Sequence, residues 1–569
     1  VTWRGRHIYL LGLPGAGKSS IGRELAHLLA KSGYEFLDLD EIITKRSGKT
    51  IAQIFAEQNG SARFRDLETN LLLEVAQRAF EQKPRIIASG GGTPIRAINR
   101  ALMRGSGVTV WIDVTIKNAA KNVLQSLLQG ETRPLLRSSS PEELNDKLRS
   151  LHAERTPFYE QATLHFVTRS PRGDEREPRE LAEEMLKALE QMSKRVLLRP
   201  RFEIFPVHST LGDYPVSIGS GIAAQELAFT MRDLGAKKVI IVTDENVAKL
   251  YGTKFIQKAL GEQRAGVDIH QITISSGEAS KNMDNLLDIL ASFEKLGLKK
   301  KEDIVVAFGG GVVSDITGLA ASLYMRGMPL VHIPTTLIGQ VDASIGGKTG
   351  IDHHAKKNII GTFYAPRQVI IDPLFLKTLP KRELQAGLSE VLKYGLIASE
   401  SLWKTLAKGI RRLLRGFDTG FEIIIRDAIR QKIGFVEQDE LERQNGVREL
   451  LNFGHTFAHG FEAATNFETL LHGEAVALGM RAATWLSMEL GYLSGEEWRE
   501  IEQVLGRLPI PASLEVGTDA VMKAMTGDKK QKGAGYRLVV LKNIGRAEIV
   551  SEVPEQKVRE AIDFVLSVI

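Results

Sequence analysis

Two apolar patterns alternate along this chain. Short unbroken apolar runs end in glycine or aspartate, and longer stretches with apolar positions three and four apart follow them. The first pattern predicts buried strands of a parallel sheet, the second amphipathic helices. In the first third, His7 to Leu11, F-L-D-L-D up to Asp40, R-I-I-A before Gly90 and T-L-H-F-V near residue 165 read as strands, and S-I-G-R-E-L-A opens a helix. Residues 169–180 are charged and proline-broken, hence loop, and L-A-E-E-M-L-K-A-L-E-Q-M is a closing helix. A linker is expected over 193–200, with strands resuming at Phe202. K-K-V-I-I-V-T-D, Q-I-T-I-S-S-G-E-A-S-K and D-I-V-V-A-F-G-G-G then alternate with helical stretches, and after Leu379 the pattern is helical. The predicted class is α/β. Residues 1–192 form a parallel sheet with helices on both faces, residues 201–372 a doubly wound domain binding ligand at its strand ends, and residues 373–569 an all-helical domain.

Composition narrows the function. A chain of 569 residues exceeds one ordinary core, and 43% hydrophobic with 25% charged residues is a globular balance. A net charge of +6 without a long basic tract argues against a nucleic-acid partner and for local cations that hold small anionic metabolites. The absence of cysteine excludes disulfides and thiolate chemistry and predicts a reducing cytoplasm. No apolar run reaches membrane-spanning length and no signal-type segment opens the chain, so no membrane partner is expected.

The first strand runs into G-L-P-G-A-G-K-S, residues 12–19, and then a helix. Strand, glycine loop and helix in that order make a phosphate cradle, with Lys18 on the phosphates and Ser19 on Mg²⁺. Asp38 and Asp40, two apart on a strand, would face one site. Arg65 and Glu68 are helix neighbours, by themselves no more than a surface ion pair. Gly90, Gly91 and Gly92 after a buried strand suggest close backbone approach to a ligand. G-E-T-R-P-L-L-R reads as a mobile lid that brings Arg133 onto phosphates, and Arg155 follows in E-R-T-P-F-Y.

In the second part, Gly309 to Gly311 can approach a pyrophosphate and Asp244 can accept ribose hydroxyls, although G-x-G-x-x-G is absent. His455, His459 and His472 are three of only 12 histidines. H-x-x-x-H on a helix points to zinc, but Thr456 stands where a zinc protease needs glutamate. Glu390, a lone carboxylate in an apolar run, is the best third ligand. With His455 and His472 it gives a two-nitrogen, one-oxygen catalytic metal set. Singly, each of the three reads more simply as a hydrogen-bonded core residue.

Two resemblances follow. The first 190 or so residues resemble shikimate kinase in the P-loop, D-x-D, F-R-x-x-E, triple glycine, R-P-L-L and last arginine, in order. A related kinase of small metabolites, such as a gluconate kinase, lacks this combination. The resemblance implies ATP-dependent phosphorylation of shikimate. Gly15, Gly17, Lys18, Ser19, Ser20 and Asp38 then handle ATP and Mg²⁺, and Asp40 acts on the shikimate hydroxyls. Arg65, Arg155 and Gly90 to Gly92 bind shikimate, and Arg133 covers the transferring group.

The remainder resembles 3-dehydroquinate synthase through G-G-G-V-V-S-D, P-T-T-L, Q-V-D-A-S-I-G-G-K-T, E-V-L-K-Y-G and N-F-G-H-T-F-A-H. That resemblance implies NAD⁺ and Zn²⁺ or Co²⁺ as cofactors. It also implies conversion of 3-deoxy-D-arabino-heptulosonate 7-phosphate to 3-dehydroquinate with loss of phosphate, and a homodimer formed through this part. Asp244, Glu278, Lys281, Gly310, Gly311, Asp315, Thr335, Thr336, Asp342, Lys348 and Lys357 fall to NAD⁺. Arg326, Asp342, Lys348, Asn358, Lys393, Lys432, Arg448, Asn452, His459 and Lys530 fall to substrate, with Lys348, Lys393, Arg448 and His459 taking part in the chemistry. A metal-dependent polyol dehydrogenase shares the glycine loop but has no leaving phosphate to require Lys348, Lys357 and Lys393. Another sugar-phosphate cyclase stays open as a rival. A non-catalytic relative would have lost Lys18, Lys348 or a ligand, and all are present.

Overall fold

The computed structural model describes residues 6–77, 83–129, 134–136, 140–169, 174–196, 202–252, 254–255, 257, 267–354, 356–443, 446–466, 469–510, 514–528 and 535–569. It forms two compact units, Val1–Ile204 and Phe205–Ile569.

The first unit is built on five parallel strands, β1 (His7–Leu11), β2 (Glu35–Asp38), β3 (Arg85–Ala88), β4 (Gly107–Asp113) and β5 (Leu164–Val167), in the order β2-β3-β1-β4-β5. β1 is buried along its whole length, as its unbroken apolar run requires of a central strand. The loop after β1 leads into helix α1 (Lys18–Leu28), and the turn after β3 holds the three glycines. The unit also includes helices α2 (Leu39–Ser47), α3 (Gly60–Gln77), α4 (Ile116–Leu128), α5 (Pro141–Tyr159) and α6 (Pro178–Val196). Two expectations change here. Asp38 and Asp40 do not share a strand: Asp38 ends β2 and caps α2, accepting from the Asp40 and Glu41 amides, so Asp40 lies in the first helical turn. Helix α6 runs to Val196, into the stretch expected as linker.

The second unit holds a seven-stranded sheet in the order β6-β7-β14-β11-β10-β8-β9. Its members are β6 (Glu203–Val207), β7 (Tyr214–Ile218), β8 (Lys238–Asp244), β9 (Asp268–Ile274), β10 (Asp303–Gly309), β11 (Leu330–Pro334) and β14 (Gln368–Ile371). All the pairings from β7 to β9 are parallel. An antiparallel hairpin, β12 (Lys348–His353) with β13 (Lys356–Phe363), precedes β14. Helices α7 (Glu245–Leu250) and α8 (Gly311–Leu323) follow β8 and β10. The helical half includes α9 (Lys381–Ala398), α10 (Gly420–Gln438), α11 (His455–Ala464) and α12 (His472–Glu489). It is not all-helical: β15 (Tyr536–Asn543) and β16 (Arg546–Val553) form a hairpin turning at Gly545. Y-R-L-V-V-L and A-E-I-V-S-E-V carry the β-branched residues of strands, and the Leu541 amide donates to Ser487 of α12 at 3.0 Å. The sheet half has a buried cluster of its own, including Ile240, Val305 and Ile316, and shares a second with the helices. Val216, Leu337, Val341 and Ile371 from the sheet half pack in one buried cluster with Leu388, Val391, Phe457 and Val476 from the helices.

Candidate active sites

In the first unit the chemistry gathers where β1 and β3 end. Gly15 and Gly17 take left-handed backbone angles, and a Cβ at Gly15 would overlap the Ala119 carbonyl of α4. Asn122 of α4 donates to the Gly15 carbonyl at 2.9 Å, which braces the loop. Helix α1 has no side-chain cap and no acidic residue in its first turn, so its amides are left for an anion. Lys18 folds back on the Gly12 and Leu13 carbonyls, each 2.9 Å away. Ser19 donates to Asp38 at 2.6 Å, pairing the hydroxyl and carboxylate that Mg²⁺ would need. Ser20 follows on α1.

Across the cleft, Glu68 is fully buried, paired with Arg65 and accepting from Thr93 at 2.7 Å. The Arg65–Glu68 pair is therefore not a surface ion pair. A Cβ at Gly92 would overlap the Arg65 guanidinium. One at Gly91 would come 3.2 Å from Arg155, and one at Gly90 3.1 Å from Asp40. The glycines thus let two guanidiniums and a carboxylate converge on one turn. Tyr159, buried on α5 one turn after Arg155, donates to the Gly91 carbonyl and was not singled out from sequence. Arg133 lies outside the described residues.

In the second unit, the strand ends present Asp244, Glu278, Gly310, Gly311, Thr335 and Thr336 along one edge. Asp244 caps α7 and accepts from Ser276 at 3.3 Å. Gly310 opens α8, which again has no side-chain cap and no acid in its first turn. A Cβ on Gly310 would press on Thr336 at 3.0 Å. This bare amino end and close backbone suit a pyrophosphate. Lys281, almost fully buried, pairs with Asp315 at 2.6 Å and donates to Asn358 of β13. Burial pushes the Asp315 carboxyl up to about 6 against the pull of Lys281.

A one-turn π-helix, Gly339–Ala343, turns Asp342 toward the helices. Asp342 pairs with Lys432 and accepts from Tyr394 at 2.8 Å. Burial would raise its carboxyl, but Lys432 and then Lys393 hold it below the usual range. Burial, with Arg448 and Lys348 nearby, pushes the Lys432 ammonium down to about 8 against Asp342. Groups so perturbed by burial and by one another gather at functional sites. Lys348 pairs with Glu442, and Arg448 is buried with its guanidinium on the Gly346 and Glu440 carbonyls.

The metal candidates converge. One ligand atom from each of Glu390, His455 and His472 lies within 4.8 Å of the others, and among the described residues this is the one such cluster. His455 Nε2 and His472 Nε2 sit 3.4 and 3.6 Å from Glu390 Oε1, a fully buried oxygen that accepts no hydrogen bond. Each Nδ1 is engaged behind: His455 with the Phe453 carbonyl at 3.2 Å, His472 with Glu462 at 3.1 Å. Both Nε2 atoms therefore face the carboxylate, and the donor set fits a divalent ion. Lys393 touches Glu390 at 2.5 Å. Glu462 was missed, although its place seven residues after His455 on one helix was a signal. His459 is exposed beside this cluster, its ring 5.9 Å from that of His455, and Asn452 is exposed at the end of the turn that precedes His455. Arg326 is not brought in. Helix α8 carries the chain from the carboxyl edge of the sheet to its amino edge, where Lys300 donates to the Arg326 carbonyl at 3.0 Å. Lys530 lies outside the described residues.

Comparison with known proteins identifies the families of both units. Family models described as 3-dehydroquinate synthase N-terminal and C-terminal match residues 271–386 and 387–531. A 3-dehydroquinate synthase of Alkaliphilus metalliredigens is 40% identical over 324 residues, 57% of this chain and 88% of the relative. The chain belongs to the 3-dehydroquinate synthase family. Ahead of the synthase it carries a shikimate kinase domain, the family model for which matches residues 14–190. Two enzymes of the shikimate pathway thus share one polypeptide. A 3-dehydroquinate synthase of Methylococcus capsulatus is 39% identical over 349 residues, 60% of this chain and 94% of the relative. Among solved structures, a 2-epi-5-epi-valiolone synthase of Streptomyces hygroscopicus subsp. jinggangensis, with NAD⁺ and Zn²⁺ bound, is 31% identical. It aligns with a TM-score of 0.56 over 63% of this chain and 99% of its own.

Proposed function

We propose that the synthase holds a divalent metal, zinc or cobalt, on Glu390, His455 and His472, with NAD⁺ along the strand ends from Asp244 to Thr336. The observation that carries this reading is the buried Glu390 Oε1, without a hydrogen bond and faced by two imidazole Nε2 atoms. When bound, NAD⁺ accepts and returns a hydride and the metal polarises the substrate oxygen, which acidifies the neighbouring C–H for loss of phosphate. The chain's own residues bind and orient. Lys348, Lys432 and Arg448 form the positive pole for the phosphate, with Asp342 keeping Lys432 in place. Lys393 and His459 stand where protons are exchanged beside the metal ligands. Lys281, Asp315 and Asn358 tie the hairpin β12/β13 to the dinucleotide edge.

In the kinase, Lys18 and the amino end of α1 hold the nucleotide phosphates, and Ser19 with Asp38 holds Mg²⁺. Arg65 and Arg155 take the shikimate carboxylate over the glycine turn, and Asp40 receives the proton of the attacking hydroxyl. We further propose a homodimer formed through the synthase, supported by exposed Leu323, Met325 and Ile359, and a cytoplasmic location. The test measures phosphate release from 3-deoxy-D-arabino-heptulosonate 7-phosphate with NAD⁺, before and after chelation, alongside shikimate-dependent ADP formation. Chelator-sensitive release with dehydroquinate formed and no net NADH is expected. Release indifferent to chelation overturns the metal reading, and NADH accumulating from a simple polyol overturns the cyclase reading.

A further inference from the structure

Glu462 is almost fully buried on α11. Its Oε1 lies 3.1 Å from His472 Nδ1 and 3.2 Å from Lys357 Nζ. Lys357, on the hairpin β12/β13, is also 3.9 Å from Glu278 at the dinucleotide edge. One carboxylate therefore joins a metal-ligand candidate of the helical half to a cation of the sheet half.

The two histidines are held differently. His455, with 13% of its side chain exposed, rests on a neutral backbone carbonyl. His472, 36% exposed, opens its helix and rests on a charged carboxylate. The more exposed ring needs the stronger tether, because an exposed imidazole at a helix end has rotamer freedom to lose. A carboxylate on Nδ1–H fixes the tautomer, leaves the Nε2 lone pair toward Glu390 and raises ligand basicity.

We propose that Glu462 is the positioning residue of the metal centre, holding His472 with Nε2 toward the ion and linking it through Lys357 to the substrate-side hairpin. This rests on the metal site proposed above. The test compares wild type, Glu462→Gln and Glu462→Ala as the full chain. It reads Zn²⁺ affinity by chelator competition, the visible spectrum of the Co²⁺-loaded protein, and KM at saturating metal. Glu462→Ala is expected to bind Zn²⁺ roughly 10–100-fold more weakly, with altered cobalt bands and a raised KM for the heptulosonate phosphate. Glu462→Gln keeps shape and an accepting oxygen but not charge, so an intermediate loss is expected. Circular dichroism and NAD⁺ binding report that the synthase unit of each variant is folded. Wild-type Zn²⁺ affinity and cobalt spectrum in both variants overturn the proposal alone. A wild type that binds no metal overturns the metal site and this proposal with it.

Discussion

Ser389 and Gly473 meet at 2.6 Å, hydroxyl to carbonyl, where helices α9 and α12 cross. Ser389 precedes Glu390 and Gly473 follows His472, so the contact braces the spacing of two candidate metal ligands. No side chain fits there: a Cβ at Gly473 would overlap the Ala386 carbonyl oxygen. Gly473→Ala must part the helices. The expected outcome is at least a tenfold loss of Zn²⁺ affinity, read by chelator competition, with kinase activity retained. Ser389→Ala removes only the hydrogen bond and should cost about 1 kcal/mol of stability. Full Zn²⁺ affinity in Gly473→Ala would show that the crossing does not govern the site.

The kinase uses glycine in the same way. A Cβ at Gly92 would occupy the volume of the Arg65 guanidinium. Gly92→Ala should displace Arg65 and raise the KM for shikimate more than tenfold, while ATP affinity, set at the other side of the cleft, stays near wild type. Steady-state kinetics with each substrate varied separates the two. An equal loss for both substrates would contradict the placement of Arg65 on the acceptor.

His7 makes the kinase unit sensitive to acid. Its Nδ1 accepts the Arg85 amide at 3.0 Å and its Nε2 meets the Val75 carbonyl at 3.1 Å. A ring that accepts at Nδ1 is neutral. Burial, with Arg85 nearby, pushes its pKa from 6.5 down to about 4. The unfolded chain binds a proton below about 6.5 and the folded chain only below about 4, so stability falls as the pH is lowered between those values. The gap corresponds to about 3 kcal/mol. Urea midpoints for loss of kinase activity should therefore drop from pH 7 to pH 5, and the drop should shrink in His7→Gln. The same drop in His7→Gln would place the acid sensitivity elsewhere.

What could be read from sequence was what local chemistry dictates. Glycines before Lys18, three glycines after a strand, and two histidines with one buried carboxylate are patterns whose residue types leave few alternatives. What could not be read depends on direction in space. Asp40 looked like a strand residue because the Asp38 carboxylate was not counted as a cap for the Asp40 and Glu41 amides, and capping ended the strand at Asp38. The place of Arg326 at the amino edge of the sheet was not legible, because a thirteen-residue helix that reverses the sheet edge does not show in motif order. The carbonyls that hold Arg448 and the contact of Glu462 with His472 also need the packed chain to be seen. The hairpin of β15 and β16 was hidden by the helical residues around it.

Separate sites in separate units predict separable losses. Lys18 donates to the Gly12 and Leu13 carbonyls of its own loop, and the candidate metal ligands Glu390, His455 and His472 belong to the other unit. Lys18→Ala should abolish shikimate phosphorylation and leave cyclisation within about twofold of wild type, because the lost cation belongs to the phosphate loop of the kinase. His472→Ala should do the reverse: one of three metal ligands is lost, and with it stoichiometric zinc and cyclase activity, while kinase activity remains. Both activities and the zinc content are measured on each full-length variant. Zinc retained at one per chain in His472→Ala would refute its ligand role, and loss of both activities in either variant would refute independent units.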